Sequence, residues 1–194
     1  MATETESVDL VGEEAVENLA RTALFAAVVG AFAYVSFPNP LAPSIPVTLQ
    51  VLGVFLAGIF LGPVWGGASM VLYLLAGAVG APVFSGGSAG VGMLLGYTGG
   101  YLLSYPPAAF VIGAVVHGGL DLRDPQTASV GRLVAALLAG TVVIYACGTV
   151  GFAVVQNVGL AEAFALSALA FVPFEAFKIA AAVGIVRSDR IAAE

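Results

Sequence analysis

The chain has 194 residues, of which 60% are hydrophobic and 9% charged, with a formal net charge of -6 and a mean hydropathy of +1.03. Soluble domains carry about 25% charged residues, so this composition excludes a water-surrounded globule and makes the bilayer the solvent. The lone Cys147 excludes an intramolecular disulfide and is expected to fill apolar space.

The acidic charge collects at the start of the chain, where Glu4, Glu6, Asp9, Glu13, Glu14 and Glu17 mark residues 1–18 as a solvated tail. No cleavable leader is expected, because the first apolar run begins near Leu19 behind an acidic rather than a basic region. A membrane helix needs about 20 mostly apolar residues. Six spans are predicted over 19–37, 47–62, 64–80, 97–117, 130–156 and 163–187, with a short tail at 188–194. Their edges follow helix breakers, namely Phe37-Pro38-Asn39-Pro40, Leu61-Gly62-Pro63, Ala81-Pro82 and Asp124-Pro125. Spans two and three meet at Pro63 with almost no loop, which predicts a tight helical hairpin. The fold class read from this pattern is an all-α integral membrane protein, with a membrane domain over 19–187.

Six spans place both termini on one side. Arg21, Arg123, Arg132, Arg187 and Arg190 all fall on that side, so the positive-inside rule predicts a multi-pass cell-membrane protein with both termini cytoplasmic. The opposite loops, 38–46, 81–96 and 157–162, are uncharged except for Glu162. Trp65 is expected at the cytoplasmic interface. His117 reads as a helix-end residue, and no metal site is expected because no second ligand stands at suitable spacing.

Three features exceed a bundle of apolar helices. In span one, Ala23, Ala27 and Ala31 recur on one face, which permits close helix approach, although alanine is common in any membrane helix. Residues 80–102, "GAPVFSGGSAGVGMLLGYTGGYL", mix glycines with Val83, Phe84, Met93, Leu94 and Leu95. A flexible linker would be polar, so a compact re-entrant loop is predicted, serving either as a cavity cover or as a structural turn. The third feature is "FVPFEAFKIAAAVGIV" from Phe171 to Val186. Glu175 and Lys178 share a helix face there, at a depth where each charge costs about 2.5–3.5 kcal/mol. They form either a structural ion pair or the polar end of a ligand cavity. Thr48 and Gln50 at the outer end of span two add neutral hydrogen-bonding groups. Tyr97 and Tyr101 are either further lining residues or members of an interfacial belt.

Taken in order, "IPVTLQVLGVFLAGIFLG", "YLLAGAVGAPVFSGG", "GYTGGYL" and "PFEAFK" resemble the BioY family, the substrate-binding S subunits of energy-coupling factor (ECF) biotin transporters. The resemblance covers about Leu19 to Arg187. It implies the ECF S-component fold, six helices with a biotin pocket near the outer face capped by loops. The family's acidic-x-x-Lys signature falls on Glu175 and Lys178, with Glu for the usual Asp and Phe174 for the usual Gly. The family's "GPTGGY" appears with Tyr97 in place of proline, leaving Thr98, Gly99, Gly100 and Tyr101 in register. On this resemblance Gly86, Gly87 and Ser88 belong to the ligand-facing loop, Lys178 meets the valerate carboxylate and Glu175 an N–H of the ureido ring. The Ala23, Ala27 and Ala31 face is implied to meet the transmembrane coupling (T) subunit of an assembly that also contains two ATPase subunits. ATP would be used only by those partners, with no cofactor and no nucleic acid. An intramembrane enzyme is disfavoured, since the spans contain no Asp and the only His lies at a helix end. An S subunit or secondary carrier for another small carboxylated vitamin or precursor remains the alternative.

Overall fold

The computed structural model describes residues 12–39 and 45–188. Glu4, Glu6, Asp9, Arg190 and residues 40–44 of the predicted 38–46 loop lie outside the described residues. The first helix, α1, runs over Glu13–Tyr34 and is about 33 Å long at 1.5 Å per residue. Residues 13–18, expected as tail, therefore form its first turns, where Glu17 pairs with Arg21 at 2.6 Å one turn on. The chain then makes a two-residue antiparallel ladder between β1 (Ser36–Phe37) and β2 (Val47–Thr48). This ladder joins the two strands as a hairpin and moves the start of the next helix from 47 to Gln50.

Helix α2 is Gln50–Ala78, interrupted at Gly62 with φ 72° and ψ -172°. That backbone region is essentially open only to glycine, and Pro63 then starts the following segment with a φ suited to a first helical turn. A Cβ on Gly66 would lie 2.9 Å from the Ala57 carbonyl oxygen. In a straight helix those positions would be about 13 Å apart, so the chain has reversed and the predicted hairpin is present. This hairpin forms the centre of the bundle, with Val54, Phe55, Ile59 and Met70 fully buried.

Helices α3 (Val91–Leu95) and α4 (Gly99–Leu103) are short, and α5 covers Tyr105–His117. The predicted span 97–117 is thus broken at Ser104, because Pro106 and Pro107 have no N–H with which to continue the α4 ladder. Helix α6 (Val130–Gln156) starts where Ser129 Oγ accepts the Arg132 N–H at 3.2 Å and ends at Asn157 in the left-handed region, φ 54°. Helix α7 (Leu160–Ser167) leads through a 3-10 turn at Leu169–Phe171 into α8 (Val172–Arg187). The predicted last span, 163–187, therefore starts earlier and is bent at 168–171.

Five stretches among the described residues are long and apolar enough to cross a membrane: Glu14–Tyr34, Gln50–Ala78, Gly99–His117, Val130–Gln156 and Leu160–Arg187. The reversal at Gly62 divides the second, which recovers the six predicted segments. Large apolar side chains such as Leu24, Leu75, Val142, Val154 and Phe177 stand exposed on the outside, as lipid contact requires. Cys147 also lies on this exposed surface of α6 rather than in the core, because the neighbouring Gly148 and Thr149 take the inward positions. His117 does end its helix. It is buried, with Nδ1 accepting the Arg123 N–H at 3.0 Å, so Nε2 carries the proton that reaches the Ile59 carbonyl oxygen at 3.0 Å. It thereby ties the C-terminal end of α5 to the hairpin. Trp65 is half-buried, three residues past the Gly62 reversal.

Candidate functional site

Helix α8 carries the two charges inward. Pro173 occupies its first turn, where a missing N–H is harmless, and Glu175 follows in that same turn, where a carboxylate suits the positive end of the helix dipole. Glu175 and Lys178 are each 3% exposed. Lys178 Nζ donates to Glu175 Oε1 at 2.7 Å, and Tyr145 Oη, from the middle of α6, donates to the same oxygen at 2.9 Å. The other carboxylate oxygen, Oε2, is buried and has no hydrogen-bond partner. A buried acceptor in this condition costs about 1–3 kcal/mol and more when charged.

Both side chains line a cavity of about 190 Å³. The β1–β2 hairpin contributes Ile45, Pro46 and Thr48 to its wall, and α2 contributes Gln50 and Val51. Phe84, Ser85 and Met93 come from the glycine-rich loop, with Tyr97, Thr98, Tyr101, Leu102 and Tyr105 from the segment that follows. Ile144 and Tyr145 of α6, with Ser167 and Phe171, complete the enclosure. A wall of aromatic and aliphatic side chains around a few convergent polar groups is the usual form of a small-molecule site.

Seven residues singled out in the sequence therefore meet in one place: Thr48, Gln50, Tyr97, Thr98, Tyr101, Glu175 and Lys178. Thr48 Oγ1 donates to Gln50 Oε1 at 2.9 Å, Gln50 Nε2 donates to Tyr73 Oη at 2.5 Å, and Tyr73 Oη donates to the Val83 carbonyl oxygen at 3.0 Å. This chain of bonds fastens the glycine-rich loop to α2. Tyr101 Oη lies 2.5 Å from the carbonyl oxygen of Ser167 and 2.7 Å from its hydroxyl, which ties α4 to the end of α7. Tyr97, 37% exposed, stands edge-on to Phe152 with ring centroids 6.3 Å apart.

Gly86, Gly87 and Ser88 do not line the cavity. Positive φ at Gly86 (65°) and Gly87 (77°) turns the chain back on itself, and Ser88 Oγ donates to the Ser85 carbonyl oxygen at 2.6 Å, bracing the turn. The loop instead presents Phe84 and Ser85. Phe84 is fully buried, 5.5 Å from Tyr73 between ring centroids, and it fills the space left by the absent side chain of Gly77. The loop is thus compact and folded against the bundle, as its composition predicts. Ala23, Ala27 and Ala31 are exposed along the outward side of α1, while Ala26, Val29 and Ala33 of the same helix are buried. Tyr145, Tyr105 and Ser167 were not legible as site residues. A tyrosine inside the otherwise apolar "VVIYACG" is the one signal that pointed to Tyr145, since a phenol in a membrane span seeks a partner for its hydroxyl.

The BioY family profile matches residues 3–193. A biotin transporter BioY of Rhodobacter capsulatus is 37% identical over 144 residues, spanning 74% of this chain and 73% of that one. A biotin transporter BioY of Rhizobium etli is 34% identical over 174 residues, or 86% of this chain and 90% of its own. Among solved structures, the crystal structure of the S-component for biotin from an ECF-type ABC transporter superposes with a TM-score of 0.79. It is 28% identical and covers 92% of this chain and 93% of its own.

Proposed function

The chain belongs to the BioY family, and we propose that it captures biotin as the membrane-embedded S subunit of an ECF importer. The observation that carries the molecular reading is the buried Glu175–Lys178 pair lining the cavity, with one carboxylate oxygen engaged twice and the other unpartnered. A cyclic urea presents an N–H beside a carbonyl oxygen. Its N–H satisfies Glu175 Oε2, and its carbonyl accepts a remaining proton of the Lys178 ammonium. Both bonds are charge-assisted and shielded from water, where such bonds are strongest.

This assignment revises the division of roles implied by the resemblance. With Nζ 2.7 Å from Oε1, the two side chains address the same end of a ligand, whereas the acid of biotin lies across a bicyclic ring and an aliphatic chain from its urea. Lys178 is therefore assigned to the urea carbonyl rather than to the valerate. Tyr101, Tyr105 and Phe171 flank the bicycle, and Thr48, Gln50 and Thr98 supply neutral hydrogen bonds. Biotin enters from outside, between the 38–46 and 80–96 loops, with both termini in the cytoplasm as the arginine distribution requires.

The chain's role is binding rather than catalysis. It lacks the GxxxxGK[ST] pattern of ATPases, so the energy comes from two ATPase subunits reached through a T subunit seated on the Ala23, Ala27 and Ala31 face. The test is uptake of labelled biotin by a biotin-auxotrophic host carrying the chain, with and without coupling and ATPase subunits. Uptake that excess biotin competes and Glu175→Gln removes is the expected result. Absence of uptake by a folded, membrane-inserted chain with its partners present would contradict the reading. Competition by a different vitamin carboxylate and not by biotin would favour the alternative carrier.

A further inference from the structure

Resting on the biotin reading, we infer that the site recognises the cyclic-urea head and leaves the acid end of the ligand without a cationic partner. Ureas with esterified, amidated or lysyl-extended tails then belong to its ligand class. The chain contains six Lys and Arg side chains: Arg21, Arg123, Arg132, Lys178, Arg187 and Arg190. Lys178 lines the cavity, and its ammonium is already held 2.7 Å from Glu175 at the urea end. Arg21 pairs with Glu17, about 20 Å along α1 from Tyr34, the residue that meets the glycine-rich loop. Arg187 donates to the carbonyl oxygens of Gln126 and Ala128, about 18 Å beyond Glu175 along α8. Arg123 and Arg132 sit on and just after that same 118–129 loop, and Arg190 follows Arg187 in the sequence.

Neither outer segment, 38–46 or 80–104, carries a single cation, residues 40–44 included. The one charge of the outer loops is Glu162, exposed on the first turn of α7, which repels an anion. At the loop side of the cavity stand the hydroxyl-bearing Ser85, Tyr97 and Thr98, all neutral. A carboxylate held dry without a cation is strongly disfavoured. The acid therefore rests at the mouth in contact with water, where replacing it by an ester or amide removes no ion pair.

The test is competition against labelled biotin on the detergent-purified full chain, using biotin, its methyl ester, biotinamide and biocytin. All four are expected to compete within about threefold of one another, with little change between low and high salt. Tight biotin with ester and amide weakened more than about tenfold would overturn this inference alone, since it would reveal specific recognition of the carboxylate. Failure of biotin itself to bind a chain that unfolds cooperatively would instead overturn the biotin reading, and this inference with it.

Discussion

Glu175→Gln separates a ligand-reading carboxylate from a structural staple. The substitution keeps length and volume but leaves one oxygen where there were two. Lys178 Nζ and Tyr145 Oη both donate to the Oε1 position, at 2.7 and 2.9 Å, so the amide oxygen must settle there and the NH2 group falls at the Oε2 position. A ligand N–H then meets a donor in place of the acceptor that is free in the native site. Hydrogen bonds to charged groups contribute about 1.5–3 kcal/mol, which corresponds to a loss of biotin affinity of roughly 10- to 150-fold. Calorimetric titration measures this, with thermal unfolding of the same sample to establish that the variant is folded. Biotin affinity within about threefold of native in a folded Glu175→Gln sample would refute the assignment of Oε2 to the ligand.

Further outcomes follow from the same geometry. Lys178→Met leaves Glu175 as an uncompensated buried charge and should cost about 3–5 kcal/mol of stability, most of it regained in the Glu175→Leu/Lys178→Met double variant, which unfolds normally but does not bind; detergent-phase thermal unfolding reads both. Gly77→Ala drives a Cβ into the ring of Phe84, so overpacking of about 1–3 kcal/mol should push the glycine-rich loop off the cavity. Biotin affinity should fall and partly return when Phe84→Leu is added. Ala27→Trp, on the exposed side of α1, should leave biotin binding unchanged and abolish ATP-dependent uptake in the reconstituted assembly. Unchanged uptake would remove the docking role from that face.

The sequence carried the membrane architecture because its signals are local. Long apolar stretches and prolines at the breaks do not depend on tertiary contacts, and the Gly62-Pro63 reversal is legible from two residues. The shortfalls arose where packing decides. A ladder of two residue pairs has too little pattern to announce itself, so α2 began three residues late against the expected span. The polar turn at residues 13–18 read as tail because charge outweighs helix propensity in a hydropathy argument, although an i,i+4 ion pair supports it. Of the candidate site, Glu175, Lys178 and Gln50 stand out as polar groups in apolar surroundings, whereas Tyr101 reads equally as an interfacial-belt residue. Tyr145 acts through a side chain 30 positions away, and that proximity is a property of how α6 meets α8. The glycine-rich loop reads from the sequence as either a cavity cover or a structural turn, and which of its residues face inward depends on Phe84 filling the space beside Gly77.

The most direct test of the central claim is a calorimetric titration of biotin into the native, detergent-purified chain. A saturable one-site isotherm in the submicromolar range is predicted, with the buried Glu175–Lys178 pair gaining its missing partner from the urea. No binding heat at any temperature, in a sample that unfolds cooperatively and gains no thermal stability from biotin, would mean that the pair only staples the bundle and that the cavity serves another ligand.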